Sequence, residues 1–390
     1  MIGHSLRIEL LNSAEQLHAL EPEWNAVLAE SASAGVFLTW EWISTWWEHF
    51  GTTLRPWILV AREAPGGRAA GIAPLVLRRH PFRGPCRELS LIGNTAGAAD
   101  HLDVIARAGW ERAVAAGFVE TLQSHRHQWD VLRLDGLRAE SAFLGALRQH
   151  DSGTAMIWDS VCPFLRLPDT RDEFFAMLDR KVRSSLRRRA KLLERDSGGT
   201  VEYQRVDSLE RLPTALNEVF RLHQAIRTER GDRGAFCDPL VRRFHERLAE
   251  RFLLNDRLRL YLLNVNGRAI AAAYCFRYGQ SVSFYQTGYD PQWARYGPGS
   301  AVIAQAICDS IHDGAREFDF LRGAEPYKSQ WTRTARRDVR LRLAATRRGS
   351  LLVLTYRLAR AARHALRNWC NGTSGAADAN GDAVFVSEPR

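Results

Sequence analysis

The alternation of apolar and polar positions is written twice along this chain, at an offset near 200 residues. In the first copy, residues 56–62 read as a strand, Pro65-Gly66-Gly67 as a turn and residues 68–78 as the returning strand. In the second, residues 258–265 form the strand, Asn266-Gly267 the turn and residues 268–278 the return. An Asn-Gly pair between apolar runs predicts a hairpin, because both residues tolerate the positive φ of a tight turn. Gly67-Arg68-Ala69 matches Gly267-Arg268-Ala269, and Ala73 matches Ala273.

The flanking patterns repeat as well. A helical run starting at Phe37 carries Trp42, Trp46 and Phe50, and its counterpart carries Phe236, Leu240, Phe244 and Leu248 at helical spacing. Each hairpin is followed by another strand, a glycine-containing segment, a helix and a last strand, over 129–136 and 318–323. Agreement in order, element type and local wording predicts an α+β fold of two tandem units, each a mixed central sheet flanked by helices. Their expected extents are 1–160 and 161–345, with the junction within 152–168.

Three segments stand outside the repeat. Residues 180–195 hold eight basic residues and one acid, either a solvated helix face or a contact for phosphates or nucleic acid. Residues 346–370 predict a basic amphipathic helix, with Leu351, Leu354, Leu358, Ala361, Ala365 and Trp369 on one stripe among arginines. That stripe suits packing on its own domain, an anionic membrane surface or a partner protein. Residues 371–390, rich in Gly, Ala, Asp and Ser, are expected to form a disordered tail.

Composition narrows the class. Of 390 residues, 45 % are hydrophobic and 25 % charged, which excludes wholesale disorder. The net charge of +10 favours anionic partners without choosing among them. No apolar run approaches the roughly 20 residues of a membrane span, and the start lacks the pattern of a signal sequence. The six cysteines form no CxxC pair, which predicts reduced, mostly buried thiols in a cytoplasmic protein. His125 and His127 lack partners at metal-ligand spacing, so no zinc site is expected.

The sharpest candidate for chemistry is 287–300, between a strand at 281–286 and a helix at 301–312. Glycines there let a ligand approach the backbone, and a helix start offers N–H groups to an anion. A pyrophosphate fits, with Arg295 beside it. An ordinary strand-to-helix turn with Pro298 in the first helical turn explains the same residues.

This strand, the Pro291…Gly297-x-Gly299 spacing, the helix and the Asp319 strand resemble the acyl-CoA-binding half of a GNAT-type acyltransferase. Two such units ending in residues 318–328 resemble the CelD/BcsL-like acetyltransferase family, which is related to the FemABX peptidyltransferases and associated with bacterial cellulose and polysaccharide synthesis. The likeness spans roughly residues 8–345. One position departs: Ala294 stands where the GNAT loop usually has Arg or Gln.

The resemblance implies that the second unit takes acetyl-CoA or another acyl-CoA as donor through Arg295, Tyr296, Gly297, Gly299 and Ser300. In the first unit Gly93-Asn94-Thr95-Ala96-Gly97 does not lead into a helix, and Asp100, His101 and Asp103 follow. That unit is therefore expected to shape an acceptor cleft without acyl-CoA, with Asp100 and Asp103 as substrate contacts. Asp319 would orient or deprotonate the acceptor, or else cap a neighbouring loop. Tyr327 would protonate the departing sulfur, or else pack its ring in the core. Lys328 would meet a phosphate or an acidic acceptor, or else stay exposed. His223 would act as a base, or else be a satisfied helix histidine.

The implied activity moves an acyl group to an amine or hydroxyl of a polar acceptor, a small molecule or saccharide such as a polysaccharide or envelope precursor, with no metal. The rivals are a Fem-type transferase using aminoacyl-tRNA and a non-catalytic scaffold of a polysaccharide synthase. Residues 350–369 are the expected contact with a membrane surface or such a synthase. Nucleic acid is not an expected partner of the favoured reading, which places the protein in the cytoplasm, at most peripheral to the inner membrane.

Overall fold

The computed structural model describes residues 5–65, 67–79, 86–94, 99–150, 156–229, 231–373 and 386–387. In chain order its first elements are β1 (Leu6–Leu11), α1 (Ala14–His18), α2 (Glu21–Ala29), α3 (Trp40–Phe50), β2 (Arg55–Pro56), β3 (Ile58–Glu63) and β4 (Ala69–Ala73). Then come β5 (Leu75–Arg79), β6 (Arg87–Leu91), β7 (Ile105–Ala106), α4 (Glu111–Ser124), β8 (Val131–Arg138), α5 (Ala142–His150) and β9 (Met156–Arg166). They are followed by α6 (Arg171–Met177), α7 (Arg180–Asp196), β10 (Val201–Arg205), α8 (Leu212–Glu229), α9 (Pro239–Leu254), β11 (Leu258–Val265) and β12 (Arg268–Tyr278). The last are β13 (Ser281–Tyr289), α10 (Pro298–His312), β14 (Glu317–Asp319), β15 (Thr334–Ala344) and α11 (Arg347–Thr373). The turn residue Gly66, residues 95–97 of the first glycine segment and most of the expected tail lie outside the described residues.

The fold is α+β and forms two compact units: Met1–Ser160 with Arg337–Gly381, and Val161–Arg336 with Asp382–Arg390. The second unit was expected to run on to residue 345, but from Arg337 the chain belongs to the first. The reason is pairing: β15 runs antiparallel to β8, from Asp338 opposite Arg138 to Ala344 opposite Val131.

The first unit has a sheet in the order β1-β3-β4-β7 and strands ordered β15-β8-β6-β5-β2. Its core is rich in tryptophan, with Trp24, Trp42, Trp46, Trp57 and Trp129 all essentially inaccessible. The expected single strand 68–78 is two strands, split at Pro74, which has no N–H to give a ladder. Its halves pair differently, β4 with β3 and β7, β5 with β2 and β6.

The second unit has six strands in the order β10-β11-β12-β13-β14-β9. Part of the expected junction, 152–168, is the strand β9, which pairs with β14. The hairpin β11–β12 turns at Asn266-Gly267, both at positive φ. Helix α10 packs on β11, β12 and β13, burying Val302, Ile303 and Ile307 against Val282 and Phe284. Helix α8 lies on the other face of β13, and it approaches so closely that a Cβ at Gly288 would sit 2.3 Å from the backbone nitrogen of His223.

The repeat is visible in this geometry. Each helix before a hairpin follows a single 3-10 turn, Val36–Leu38 or Ala235–Cys237, and each is capped by a side chain, Thr39 on Trp42 N–H and Asp238 on Leu240 N–H. Each later crossover ends in a three-residue parallel register, Glu88–Ser90 against Val131–Arg133 and Ser281–Ser283 against Glu317–Asp319.

Candidate active site

In the second unit, β13 runs into a 3-10 turn, Pro291–Tyr296, whose first N–H groups are capped by Asp290. Gly297 then adopts left-handed backbone, φ 60° and ψ 46°, and α10 begins at Pro298. Only glycine takes that conformation without cost. Pro298 has no N–H, so the first amides free of helical partners are those of Gly299 and Ser300, at the positive end of a 15-residue helix.

A side chain already lies over this turn. A Cβ at Gly297 would sit 2.6 Å from Nη1 and 2.9 Å from Cδ of Arg189. Helix α7 delivers it: Arg180, Lys181, Arg187, Arg188, Lys191 and Arg195 are exposed and share about a third of the helix circumference. Arg189 falls on the opposite, half-buried face with Val182, Leu186 and Leu193, which pack on the core. The sequence held this signal as an arginine on an apolar face, and the reading of 180–195 as one basic run missed it.

The expected grip, Arg295, is engaged elsewhere. Its guanidinium stacks 4.5 Å from the centre of the Tyr296 ring and donates to Asp196 at 3.4 Å. The Tyr296 hydroxyl donates to the same carboxylate oxygen at 3.2 Å. Arg295 and Tyr296 thus fasten the turn to the end of α7, and Arg189 is the cation over the glycine. Gly299 packs against the Tyr289 ring, and Ser300 Oγ accepts from the Gln330 amide at 3.3 Å.

Beyond Ser283 and Asp319 the pairing of β13 with β14 ends, while β13 continues to Tyr289. Tyr285 is an extra residue opposite Tyr274 and Cys275 of β12. A bulge of this kind unpairs and re-aims the backbone, and bulges are frequent beside active sites. The expected strand 318–323 stops at Asp319, because Leu321 and Gly323 take positive φ of 57° and 117°. The buried Asp319 accepts the Leu321 N–H at 2.7 Å and lies 3.6 Å from the Arg336 guanidinium. It caps this loop.

Lys328 fits neither of its expected roles. It is buried, and its ammonium donates to the carbonyls of Leu321, Arg322 and Gly323 at 3.0–3.2 Å and pairs with Glu325 at 2.9 Å. It holds the 321–325 loop in shape. Tyr327 is partly exposed and does not bury its ring in the core.

His223 is buried on α8, edge-on to Phe236 at 4.8 Å. Burial, with the Arg227 charge adding, pushes its pKa down to about 4, so the imidazole is held neutral near neutral pH. Its neighbour in this shell, unnoticed in the sequence, is His245, held to about 3 by burial and then by His223. His245 Nε2 lies 3.3 Å from the hydroxyl of the bulged Tyr285.

Asp100 and Asp103 belong to the first unit. Both are buried. Asp103 accepts from Ser141 at 2.7 Å, Ser33 at 3.2 Å and the Val104 N–H at 2.8 Å, while burial raises its pKa to about 6. These bonds organise the loop and depart from an open substrate contact. Between the two aspartates His101, at φ 53°, meets Asp338 of β15 through Nδ1 at 2.9 Å and through its N–H at 3.0 Å.

Residues 180–329 match the acetyltransferase (GNAT) domain family, the stretch that contains α7, the Gly297 turn and the 321–328 loop. Over those 150 of the 390 residues the chain is similar to a GNAT domain. Among solved structures, FemX is similar over 82 % of this chain and 95 % of its own, with a TM-score of 0.59 and 11 % identity. A conserved protein of unknown function from Bacteroides thetaiotaomicron aligns over 87 % of this chain and all of its own, at 0.54 and 10 %. L-PGS from Bacillus licheniformis aligns over 88 % and 96 %, at 0.52 and 12 %. At these identities the likeness is one of fold. No curated protein sequence matches the chain.

Proposed function

We propose that this protein transfers an acyl group from acyl-CoA to an amine or hydroxyl of a polar acceptor. The observation that carries this reading is the left-handed Gly297 at the start of α10 with Arg189 over it, inside the stretch matching the GNAT domain. The diphosphate would rest on the Gly299 and Ser300 amides, with Arg189 as its counter-charge. The pantetheine arm would follow β13 toward the bulge at Tyr285, where the strand edge offers N–H groups to the thioester oxygen. The acceptor nitrogen or oxygen attacks the carbonyl carbon, the carbon–sulfur bond breaks, the acceptor gives up its proton to solvent, and the thiolate takes up a proton. Tyr327, on the partly exposed 3-10 turn after Gly323, is the proton donor we favour. A polysaccharide or cell-envelope precursor is the acceptor class suggested by the CelD/BcsL resemblance.

A second reading takes aminoacyl-tRNA as donor. The exposed basic stripe of α7 favours it, and a fold like that of FemX is compatible with either donor.

Thermal melting with a saturating ligand separates the two. Acetyl-CoA at 100 times its dissociation constant should stabilise the protein by about 2.7 kcal/mol, and Arg189→Glu should remove most of that shift while Arg187→Glu, on the exposed stripe, keeps it. Equal shifts in both variants would move the donor site away from Gly297. No shift with any acyl-CoA, together with transfer from charged tRNA, would establish the second reading.

A further inference from the structure

Among its described side chains helix α11 has two apolar faces, and only one of them is covered. Leu352 and Val353 join Cys86 and Val131 in a small cluster of the first unit, with Tyr356 packed beside them. About half a turn away, Leu351, Leu354 and Leu358 are 66 %, 48 % and 62 % exposed. These three belong to the stripe the sequence continues toward Trp369, and they are not what packs the helix onto its own unit.

The charge around it is of one sign. Arg347, Arg348 and Arg357 are exposed beside the leucines, and residues 347–373 contain six arginines, a histidine and no acid. A second copy laid on this face would bring arginines against arginines. An anionic lipid surface offers what the face lacks: phosphates for the guanidinium groups and hydrocarbon for the leucines. Arginine serves such a boundary well, since its stem lies along apolar matter while its head stays with the phosphates. No helix among the described residues is long and apolar enough to cross a membrane.

We propose that α11 is a peripheral membrane-binding element. It lies in the plane of an anionic bilayer surface, with Leu351, Leu354 and Leu358 among the acyl chains and the flanking arginines at the phosphates. The proposal is independent of the acyl-transfer reading.

Flotation of the full chain with lipid vesicles tests it. The protein should float with vesicles of equimolar phosphatidylglycerol and phosphatidylcholine, and hardly at all with phosphatidylcholine alone. The triple variant Leu351→Gln, Leu354→Gln, Leu358→Gln should lose about tenfold in binding with an unchanged melting temperature. Leu254→Gln, at the most exposed leucine of α9, should bind as the parent does. If the triple variant melts early, Arg347→Glu with Arg348→Glu supplies the same reading from residues outside the packed face. Absence of flotation with anionic vesicles, or binding indifferent to both sets of changes, would overturn the proposal. So would a change from dimer to monomer in the triple variant, which would assign the face to a second copy.

Discussion

Single residues in this protein are constrained mostly by burial of polar groups, and the two histidines of the α8–α9 shell show the consequence. His223 and His245 stay neutral in the fold down to about pH 4 and pH 3, whereas in the unfolded chain both take up protons near pH 6.5. Between those values the unfolded state binds more protons, so stability falls as pH drops, by up to about 1.4 kcal/mol per pH unit for each histidine. Urea midpoints measured from pH 7 to pH 4.5 should decline, and His245→Phe, which keeps an aromatic ring in the shell, should roughly halve the slope. A slope unchanged by that substitution would place the acid sensitivity elsewhere. The same scale explains why candidate residues were only partly legible. Residue type and spacing located the glycines of the turn, because left-handed backbone has a sequence signature. They did not tell that Lys328 turns inward onto three carbonyls, or that Arg295 is claimed by Asp196, since a side chain's partners are set by distant segments.

At the scale of elements, periodicity served well where an element is long and half-buried. The strands over 258–265 and 268–278 and the basic helix lie where their patterns placed them. Failures came at points of local chemistry: Pro74, the positive φ at Leu321 and the extra residue Tyr285 each end or bend a strand that hydrophobicity alone would continue. The contact of α8 with β13 is another such point. With a Cβ at Gly288 falling 2.3–2.7 Å from backbone atoms of Leu222 and His223, no side-chain rotation relieves the clash, and the helix as a whole must move. Gly288→Ala should therefore cost about 2–3 kcal/mol, read as a lower melting temperature. It should also weaken acetyl-CoA binding, because β13 carries both this glycine and the turn into α10. A variant of parental stability would mean that α8 rides higher on the sheet than the structure has it.

The whole molecule is organised by a chain that leaves its first unit at Ser160 and comes back to it at Arg337. The returning segment is structural for that unit. It supplies β15 beside β8, Asp338 for His101, Arg342 for Asp135 at 2.7 Å, and the Leu352 and Val353 contacts of α11. Ending the chain after Arg336 removes all four at once. The buried Asp135 loses Arg342 and keeps Arg133, at 2.8 Å, as its remaining ion-pair partner. Hydrogen exchange should then accelerate across β6 and β8, while β12 and the first part of β13, paired within the second unit, keep their protection. Uniform acceleration over both sets of strands would mean that the two units unfold as one cooperative body. Unchanged protection in β8 would mean that the first unit closes its sheet without the returning strand, and that the order β15-β8-β6 is dispensable to it.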